Sequence, residues 1–216
     1  METTLLATAY LPPIEHFTFL MQEEIWLEQW ELFRKQSYRN RAYIQSENGR
    51  QILSIPIVNG AGVFPIREAR IDYKTPWQRN HWRSISSAYG NSPYFLYYQD
   101  ALRPFYEKEF EFLFDFNLQL MQTILRLMRA SCNIHLTTEH EPDRAFDLRG
   151  IIHPKKSFQE DYALRLKQPY YQVFEDRFGF ERNLSIIDLL FNLGPDATTY
   201  LRSNLREYTE QNHADE

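Results

Sequence analysis

Cysteine, glycine and long apolar runs are scarce in this sequence, and each scarcity excludes a class of protein. The one cysteine, Cys132, can form neither an intrachain disulfide nor a thiolate zinc site. Seven glycines argue against a Gly-rich phosphate loop, and Gly60-Ala-Gly62 lacks the third glycine of a dinucleotide motif. The most apolar long segment, Phe110 to Met128, carries charged and amide side chains that hydrocarbon would not accept. We therefore expect no membrane insertion and no cofactor.

The charge balance does not suggest a nucleic-acid-binding protein. The formal net charge is −5, and we expect no nucleic-acid partner.

The first residues contain a very short apolar run with no basic residue before it, which does not fit a signal peptide. We expect a cytoplasmic protein.

The 216 residues, of which 43% are hydrophobic and 16% aromatic, are enough for one well-filled core. No linker, internal repeat or low-complexity tract interrupts them. We predict a single domain over residues 1–216, with a frayed tail over 210–216.

The N-terminal half shows the pattern of a βαβ unit followed by a hairpin. A short strand at Leu5–Thr8, a helix from Pro13 to about Gln22 and a strand at Ile25–Leu32 predict parallel pairing of the two strands. Ala42–Gln45 and Gln51–Ile57 flank Asn-Gly, a strong hairpin signal because both turn positions need positive φ.

The remaining elements are a further strand and a mostly helical C-terminal half. We predict an α+β (mixed α/β) fold in which an N-terminal mixed sheet packs against that half. Its predicted elements are a strand at Ile66–Tyr73, helices at Trp77–Tyr89, Pro93–Lys108 and Glu109–Arg129, a strand at Asn133–Glu139, an irregular stretch from Pro142 to Phe180, a helix from Ser185 to Asn192 with Asp188 as capping-box partner, and a last helix from Pro195.

Two groups of residues are candidates for chemistry. Arg39 and Arg41 project to one side of an extended chain, with Asn40 on the other, and two guanidinium groups suit a carboxylate or phosphate. The alternative is a solvated edge whose charges prevent strand pairing. His81 lies one helical turn from Trp77 and is a candidate general base, the alternative being a histidine hydrogen-bonded in a helix interface.

A metal site is not expected. In His135-Leu-Thr-Thr-Glu139-His140, a strand places His135 and Glu139 on one face and His140 on the other, which separates the ligands.

Several motifs, in order along the chain, resemble the WbqC-like protein family, and most closely its Bacteroides-type branch. The motifs are Tyr10-Leu-Pro12-Pro13, Glu28–Glu31 with Lys35–Arg41, Ile52–Ile57, Trp77–Trp82, Ser86–Gly90 with Pro93–Phe95, and Asn183–Asn192. Many relatives begin with His-Gln-Pro before the Tyr-Leu-Pro motif, whereas Ala7-Thr8-Ala9 stands here. A mechanism that rests on that histidine would not carry over unless His16 or His81 substitutes for it.

The resemblance implies a transferase of surface-polysaccharide or O-antigen biosynthesis, which transfers a glycyl, aminoacyl or acyl group to an amino sugar. It implies that Arg39, Asn40 and Arg41 bind a substrate carboxylate or phosphate and that His81 transfers a proton. Tyr10, Tyr89 and Asn183 would complete the substrate site.

Two functions remain open at this point. The first is the transferase, acting on a small-molecule or nucleotide-sugar substrate. The second is a non-catalytic protein that binds a sugar nucleotide or a partner enzyme. Both require the guanidinium groups to line a shared cavity, and the sequence does not indicate the oligomeric state.

Overall fold

The computed structural model of the protein describes residues 4–58, 63–141, 146–155 and 168–214, with side chains as far as residue 205. The predicted Gly60–Gly62 loop and parts of the predicted irregular stretch lie outside the described residues. In chain order the elements are β1 (Leu5–Ala7), α1 (Ile14–Phe19), β2 (Glu24–Glu28), β3 (Arg41–Ser46), β4 (Gly49–Ser54), α2 (Trp77–Tyr89), α3 (Phe95–Leu102), α4 (Leu113–Leu127), β5 (Asn133–Leu136), α5 (Glu175–Phe178), α6 (Ile186–Leu193) and α7 (Ala197–Ala214), with short 3₁₀ turns at Ile66–Glu68, Arg103–Tyr106 and Gly194–Asp196.

The βαβ prediction is confirmed. β1 pairs in parallel with β2, and β2 in turn pairs in parallel with β5, giving the strand order β1-β2-β5. α1 connects the first two strands and begins directly after Pro13, whose fixed φ suits the start of a helix. The mixed α/β class is thus correct, and the parallel sheet takes its third strand from the middle of the chain.

The predicted hairpin is also present, and it forms a two-stranded sheet of its own. β3 and β4 pair antiparallel from Arg41↔Ser54 to Ser46↔Gly49. Of the turn residues only Gly49 has positive φ, at 96°, so the expected positive φ at Asn48 is wrong. The hairpin is held beside α6, because the Ser185 N–H donates to the Tyr43 carbonyl at 2.8 Å.

Two local predictions are wrong. Ile66–Tyr73 is not a strand: it begins with a 3₁₀ turn that buries Ile66 and Ala69 three positions apart, and Arg70 and Ile71 make only isolated bridges to other segments. Asp188 is not a capping-box partner, because its carboxylate is occupied by tyrosine hydroxyls and the Ser185 N–H is used elsewhere. Ser185 itself does cap α6, accepting from the Ile187 N–H.

α4 lies at the centre of the molecule, as its apolar circumference predicts. The Phe116 ring is fully buried, with the rings of Tyr10, Trp77, Phe105 and Phe110 within 6 Å of its centroid. These contacts join the N-terminal segment, α2 and α4 into one core.

Candidate anion-binding site

The hairpin and the first turn of α2 form the walls of an open cleft of about 830 Å³, which we call the hairpin cleft. Its lining comprises Phe33, Lys35, Gln36 and Asn40, together with residues of the two hairpin strands, of the loop after them and of the beginning of α2. A volume of this size is typical of sites for small molecules. The N-terminal end of α2 carries a partial positive charge, which favours an anion in the cleft.

The register of the hairpin places Arg41 in this cleft. Arg41 pairs with Ser54 across the two strands, so that both side chains lie on the same face, and both residues line the cleft. Lys35 lines it as well. The Nε atom of Arg41 is buried and has no hydrogen-bond partner among the described residues. Arg41 as a whole is half-buried, and its charge together with that of Lys35 favours an anion in the cleft.

Arg39 does not share this face, and the expectation that Arg39 and Arg41 project together is wrong. Residues 38–40 form a turn, so the alternation of an extended chain does not apply to them. Arg39 points inward with 3% of its surface exposed and makes a two-pronged ion pair with Glu31, in which Nε donates to Oε1 at 2.8 Å and Nη2 to Oε2. Asn40 lines the cleft together with Arg41. The internal carboxylate of Glu31 thus fills the position of the expected ligand at Arg39.

His81 lies in the cleft wall. Its Nδ1 is 3.0 Å from the Tyr10 hydroxyl, and the Ser54 carbonyl hydrogen-bonds to the imidazole. Burial lowers the pKa of His81 to about 4, and the bond to Ser54 offsets only part of that effect. The imidazole is therefore neutral at pH 7, and Tyr10 and Ser54 together engage it within the protein.

The aromatic neighbours of His81 fix its ring. The Tyr10 ring stacks on it, with centroids 5.7 Å apart and planes 24° apart, while Trp77 meets it edge-on at 5.2 Å. The expected neighbour at one helical turn is present. The Tyr10 hydroxyl also lies 3.0 Å from that of Tyr106, and its pKa is raised well above the ordinary value by burial and by Tyr106. This hydroxyl therefore remains protonated.

Tyr89 and Asn183 are not among the residues that line the cleft. The Tyr89 hydroxyl donates to Asp188 Oδ2 at 3.0 Å. Asn183 adopts φ of 56°, a conformation that asparagine tolerates, and its side chain accepts from the Glu15 N–H at 2.8 Å. Both side chains are bonded to the elements packed around them.

His16 lies away from the cleft. It is buried in α1, and its Nε2 is 2.8 Å from the carbonyl oxygen of Ala7, within the segment that replaces the family's His-Gln-Pro. Burial lowers its pKa to about 4. The His16 imidazole that contacts the Ala7–Ala9 segment is therefore neutral at pH 7.

The histidines considered for a metal have separate partners. His135 Nε2 is 3.2 Å from Glu24 on the neighbouring strand, and His140 Nδ1 is 3.8 Å from Glu28. Over the described ranges, no group of three or more His, Cys, Asp or Glu side chains is placed to hold a metal ion.

Trp77, Asn80 and Ser54 also line the cleft, although they were not among the site residues predicted from the sequence. A signal for the first two was present, because positions 77, 80 and 81 share one helical face. Ser54 follows from the hairpin register once the turn is located. No comparable signal reveals that Arg39 turns inward, because that depends on the distant Glu31.

Fold and site together define a class: a mixed α/β protein with a cation-lined cleft between a β-hairpin and a helix start. The sequence pattern of the WbqC-like protein family matches residues 8–153, and the chain belongs to that family. A relative in Mycobacterium tuberculosis (strain ATCC 25618 / H37Rv), the uncharacterized protein Rv1507c, is 29% identical over 196 residues, covering 79% of this chain and 84% of its own. No solved structure gives a significant match. Within the described residues no helix combines the length and apolarity needed to cross a bilayer.

Proposed function

We propose that the hairpin cleft binds the anionic group of a small-molecule or nucleotide-sugar substrate, and that the protein serves as a cytoplasmic transferase of surface-polysaccharide or O-antigen biosynthesis. The observation that carries the proposal is that the cations Lys35 and Arg41 line the cleft together, with no aspartate or glutamate among the described lining residues. Two neighbouring cations favour the binding of a carboxylate or phosphate. Arg41, rather than Arg39, takes the role of anion ligand.

In the transfer step an amide bond forms between the acyl carbon of an activated donor and the acceptor amine, and the bond from that carbon to the donor's leaving group, such as the thiolate of an acyl-CoA, breaks with its electron pair. A base must remove the proton from the amine nitrogen. His81, the imidazole in the cleft wall, is our candidate. Its neutral imidazole has the correct charge for a base at pH 7. However, Nδ1 already meets Tyr10 and the Ser54 carbonyl binds the ring. Catalysis therefore requires the substrate to displace one of these partners.

The second candidate function, a binding protein without turnover, is favoured by this same engagement of His81. A base with a pKa of about 4 drives proton removal weakly at neutral pH. The binding function needs only Arg41, Lys35 and the aromatic wall of the cleft.

A thermal-shift screen against nucleotide sugars, amino acids and acyl-CoA species tests the binding step. A ligand present at 100 times its Kd stabilises the folded state by about 2.7 kcal/mol. We expect Arg41→Gln to abolish the shift. Arg83→Gln, an exposed arginine of α2 outside the cleft, serves as the matched control and should leave it unchanged. No shift from any member of the panel would refute the proposal.

Product analysis with a ligand pair found in that screen separates the two functions. If wild type forms an acylated sugar and His81→Gln binds the ligands but forms none, the transferase function is supported. If wild type binds the ligands and forms no product, the binding function is supported.

A further inference from the structure

β5 lies at one edge of the parallel sheet. Within the described residues it pairs only with β2, to which the Asn133 and Thr137 N–H groups donate. Backbone groups alternate in direction along a strand, so the N–H and carbonyl groups of Ile134 and Leu136 point away from β2. This side of β5 is therefore an open row of donors and acceptors.

The two edges of the sheet differ in this respect. At the β1 edge, the Leu5 N–H donates to the Phe146 carbonyl at 2.9 Å, and the Leu5 carbonyl accepts from the Leu148 N–H at 3.0 Å. β5 has the sequence Asn-Ile-His-Leu, without the lysine or proline by which many edge strands prevent pairing, and Leu136 is 36% exposed. Such an edge is a template for a further strand.

The exposed face of α4 borders the same edge. Two open clefts join α4 to β5: one of about 980 Å³, which Ile134 lines, and one of about 500 Å³, which Leu136 lines. The exposed side chains of α4 in these clefts are, in order along the helix, Asp115, Gln119, Gln122 and Arg126. Their spacing of four, three and four residues keeps them in one stripe on the helix.

This stripe is complementary to itself when it is turned end for end. An acid stands at its start and an arginine at its end, with two glutamines between them. A two-fold axis would place Asp115 of each copy opposite Arg126 of the other, and Gln119 opposite Gln122. Each glutamine amide offers both a donor and an acceptor. The stripe thus has the order of groups that an isologous contact requires.

We propose that two copies of this chain associate about a two-fold axis perpendicular to the sheet, with β5 antiparallel to β5 of the second copy. The outward backbone groups of Ile134 bond to those of Leu136 of the second copy, and the reverse, which joins two three-stranded sheets into one continuous sheet. The axis leaves both α4 helices on one face of that sheet, running antiparallel.

An extended peptide of another protein is the competing occupant of this edge. Such a peptide would pair with the backbone of β5, but it requires no particular order of charges on α4. A second copy brings its own α4, so its affinity depends on that order. The opposite charges of Asp115 and Arg126 form two attractive contacts in the two-fold arrangement, whereas like charges would repel twice. The stripe therefore favours the second copy.

Sedimentation velocity over a series of protein concentrations tests the proposal. We expect the wild type to form a dimer. Arg126→Asp and Asp115→Arg each place like charges opposite one another at both contacts, and each should weaken the dimer by about tenfold or more. An equimolar mixture of these two variants should recover the dimer, because each variant then faces unlike charges on the other. Both positions are exposed, so the variants should fold.

A third variant tests the edge itself. Leu136→Lys places a charge on the open edge and should produce a monomer. Leu96→Lys is the matched control, since Leu96 is a 71% exposed leucine of α3 that lines neither of the two clefts. It should leave the dimer unchanged. Circular dichroism confirms that each variant keeps the fold.

The outcomes decide between the occupants. A wild type that stays monomeric at the highest concentration overturns the proposal, and an extended peptide bound at the edge of that monomer would assign the edge to another protein. A dimer that resists Arg126→Asp, Asp115→Arg and Leu136→Lys lies on another surface and also overturns it. Charge variants that weaken the dimer but do not associate with each other overturn the two-fold pairing of charges.

The test is independent of the proposed function. The hairpin cleft shares no lining residue with the two clefts beside β5. A monomeric wild type would leave ligand binding in the hairpin cleft as proposed, and a failed ligand screen would leave the dimer as proposed.

Discussion

Asp188 provides the most sharply defined test of the structure through the pH dependence of stability. Its fully buried carboxylate accepts hydrogen bonds from the hydroxyls of Tyr89 at 3.0 Å and Tyr170 at 2.6 Å, and from Gln172 Nε2 at 3.1 Å. The perturbation is Asp188→Asn, which keeps the shape of the side chain and removes its titration. The amide introduced at position 188 has one acceptor oxygen and one donor nitrogen, so its nitrogen would face one of the donating hydroxyls. We therefore expect some loss of stability at low pH as well.

Burial raises the pKa of Asp188 from 3.8 to about 6, even though its hydrogen bonds favour the charged form. Between those two values the folded protein holds a proton that the unfolded chain has released. The free energy of unfolding contributed by this group therefore falls as the pH rises from 3.8 to about 6, and stays constant above. A shift of about two pKa units corresponds to about 3 kcal/mol.

Urea unfolding followed by tryptophan fluorescence at several pH values between 4 and 7 measures this contribution. His16 and His81 act in the opposite direction, because their lowered pKa values make stability rise over pH 4 to 6.5. The difference between variant and wild type cancels the two histidines. We expect the stability of Asp188→Asn relative to wild type to increase by about 2–2.5 kcal/mol from pH 4 to pH 7, because part of the total change lies below pH 4. Asp100→Asn, at an exposed position of α3, should show no such trend.

A constant difference between Asp188→Asn and wild type across this range would refute the reasoning. It would mean that the carboxyl of Asp188 titrates in the folded protein as it does in the unfolded chain, and so is hydrated.

Three further substitutions probe the packing, each measured by urea unfolding at pH 7. Glu31→Gln should lower the free energy of unfolding by about 3–5 kcal/mol, because it leaves the buried Arg39 charge unpaired. Adding Arg39→Met should restore much of that loss. A loss as small as that of an exposed ion pair would contradict a buried one. Gly49→Ala should cost about 1–2 kcal/mol because φ is 96°, which a residue with a Cβ rarely adopts. The cost is not steric, since the new Cβ would lie 3.8 Å from the nearest atom, on the Phe178 ring. An unchanged stability would show that the turn relaxes. Phe116→Ala should cost about 3–5 kcal/mol through the cavity it leaves, whereas a loss below 1 kcal/mol would place Phe116 outside a close-packed core.

Local patterns predicted those parts of the fold in which one periodicity governs a whole segment. Trp77–Tyr89 is helical with the bounds that its spacing and Gly90 indicate, and the strands around Gly49 pair as alternation predicts. Ile66–Tyr73 failed because its buried residues contact different segments. The Ile71 N–H donates to the Glu111 carbonyl, while the Val58 N–H donates to the Arg70 carbonyl. A periodic sequence pattern cannot indicate that neighbouring residues pair with different segments.

The candidate site was predictable only in part, for the same reason. Arg41 and His81 both line the cleft, because each belongs to a regular element whose faces the sequence defines. The fate of Arg39 depended on a turn at residues 38–40 and on Glu31, eight positions earlier. The ion pair of Arg39 depends on tertiary structure, and the composition of the basic cluster did not distinguish Arg39 from Arg41.

The position of α2 has a consequence for how a ligand enters. The helix is 13 residues long, about 18 Å from end to end, and both of its ends are anchored. Near its start His81 is tied to Tyr10, and its last residue, Tyr89, is tied to Asp188. A swing of this wall would break a buried hydrogen bond at one end or the other. If a ligand binds in the hairpin cleft, we therefore expect nearly identical backbones before and after binding, with any change confined to side chains around His81.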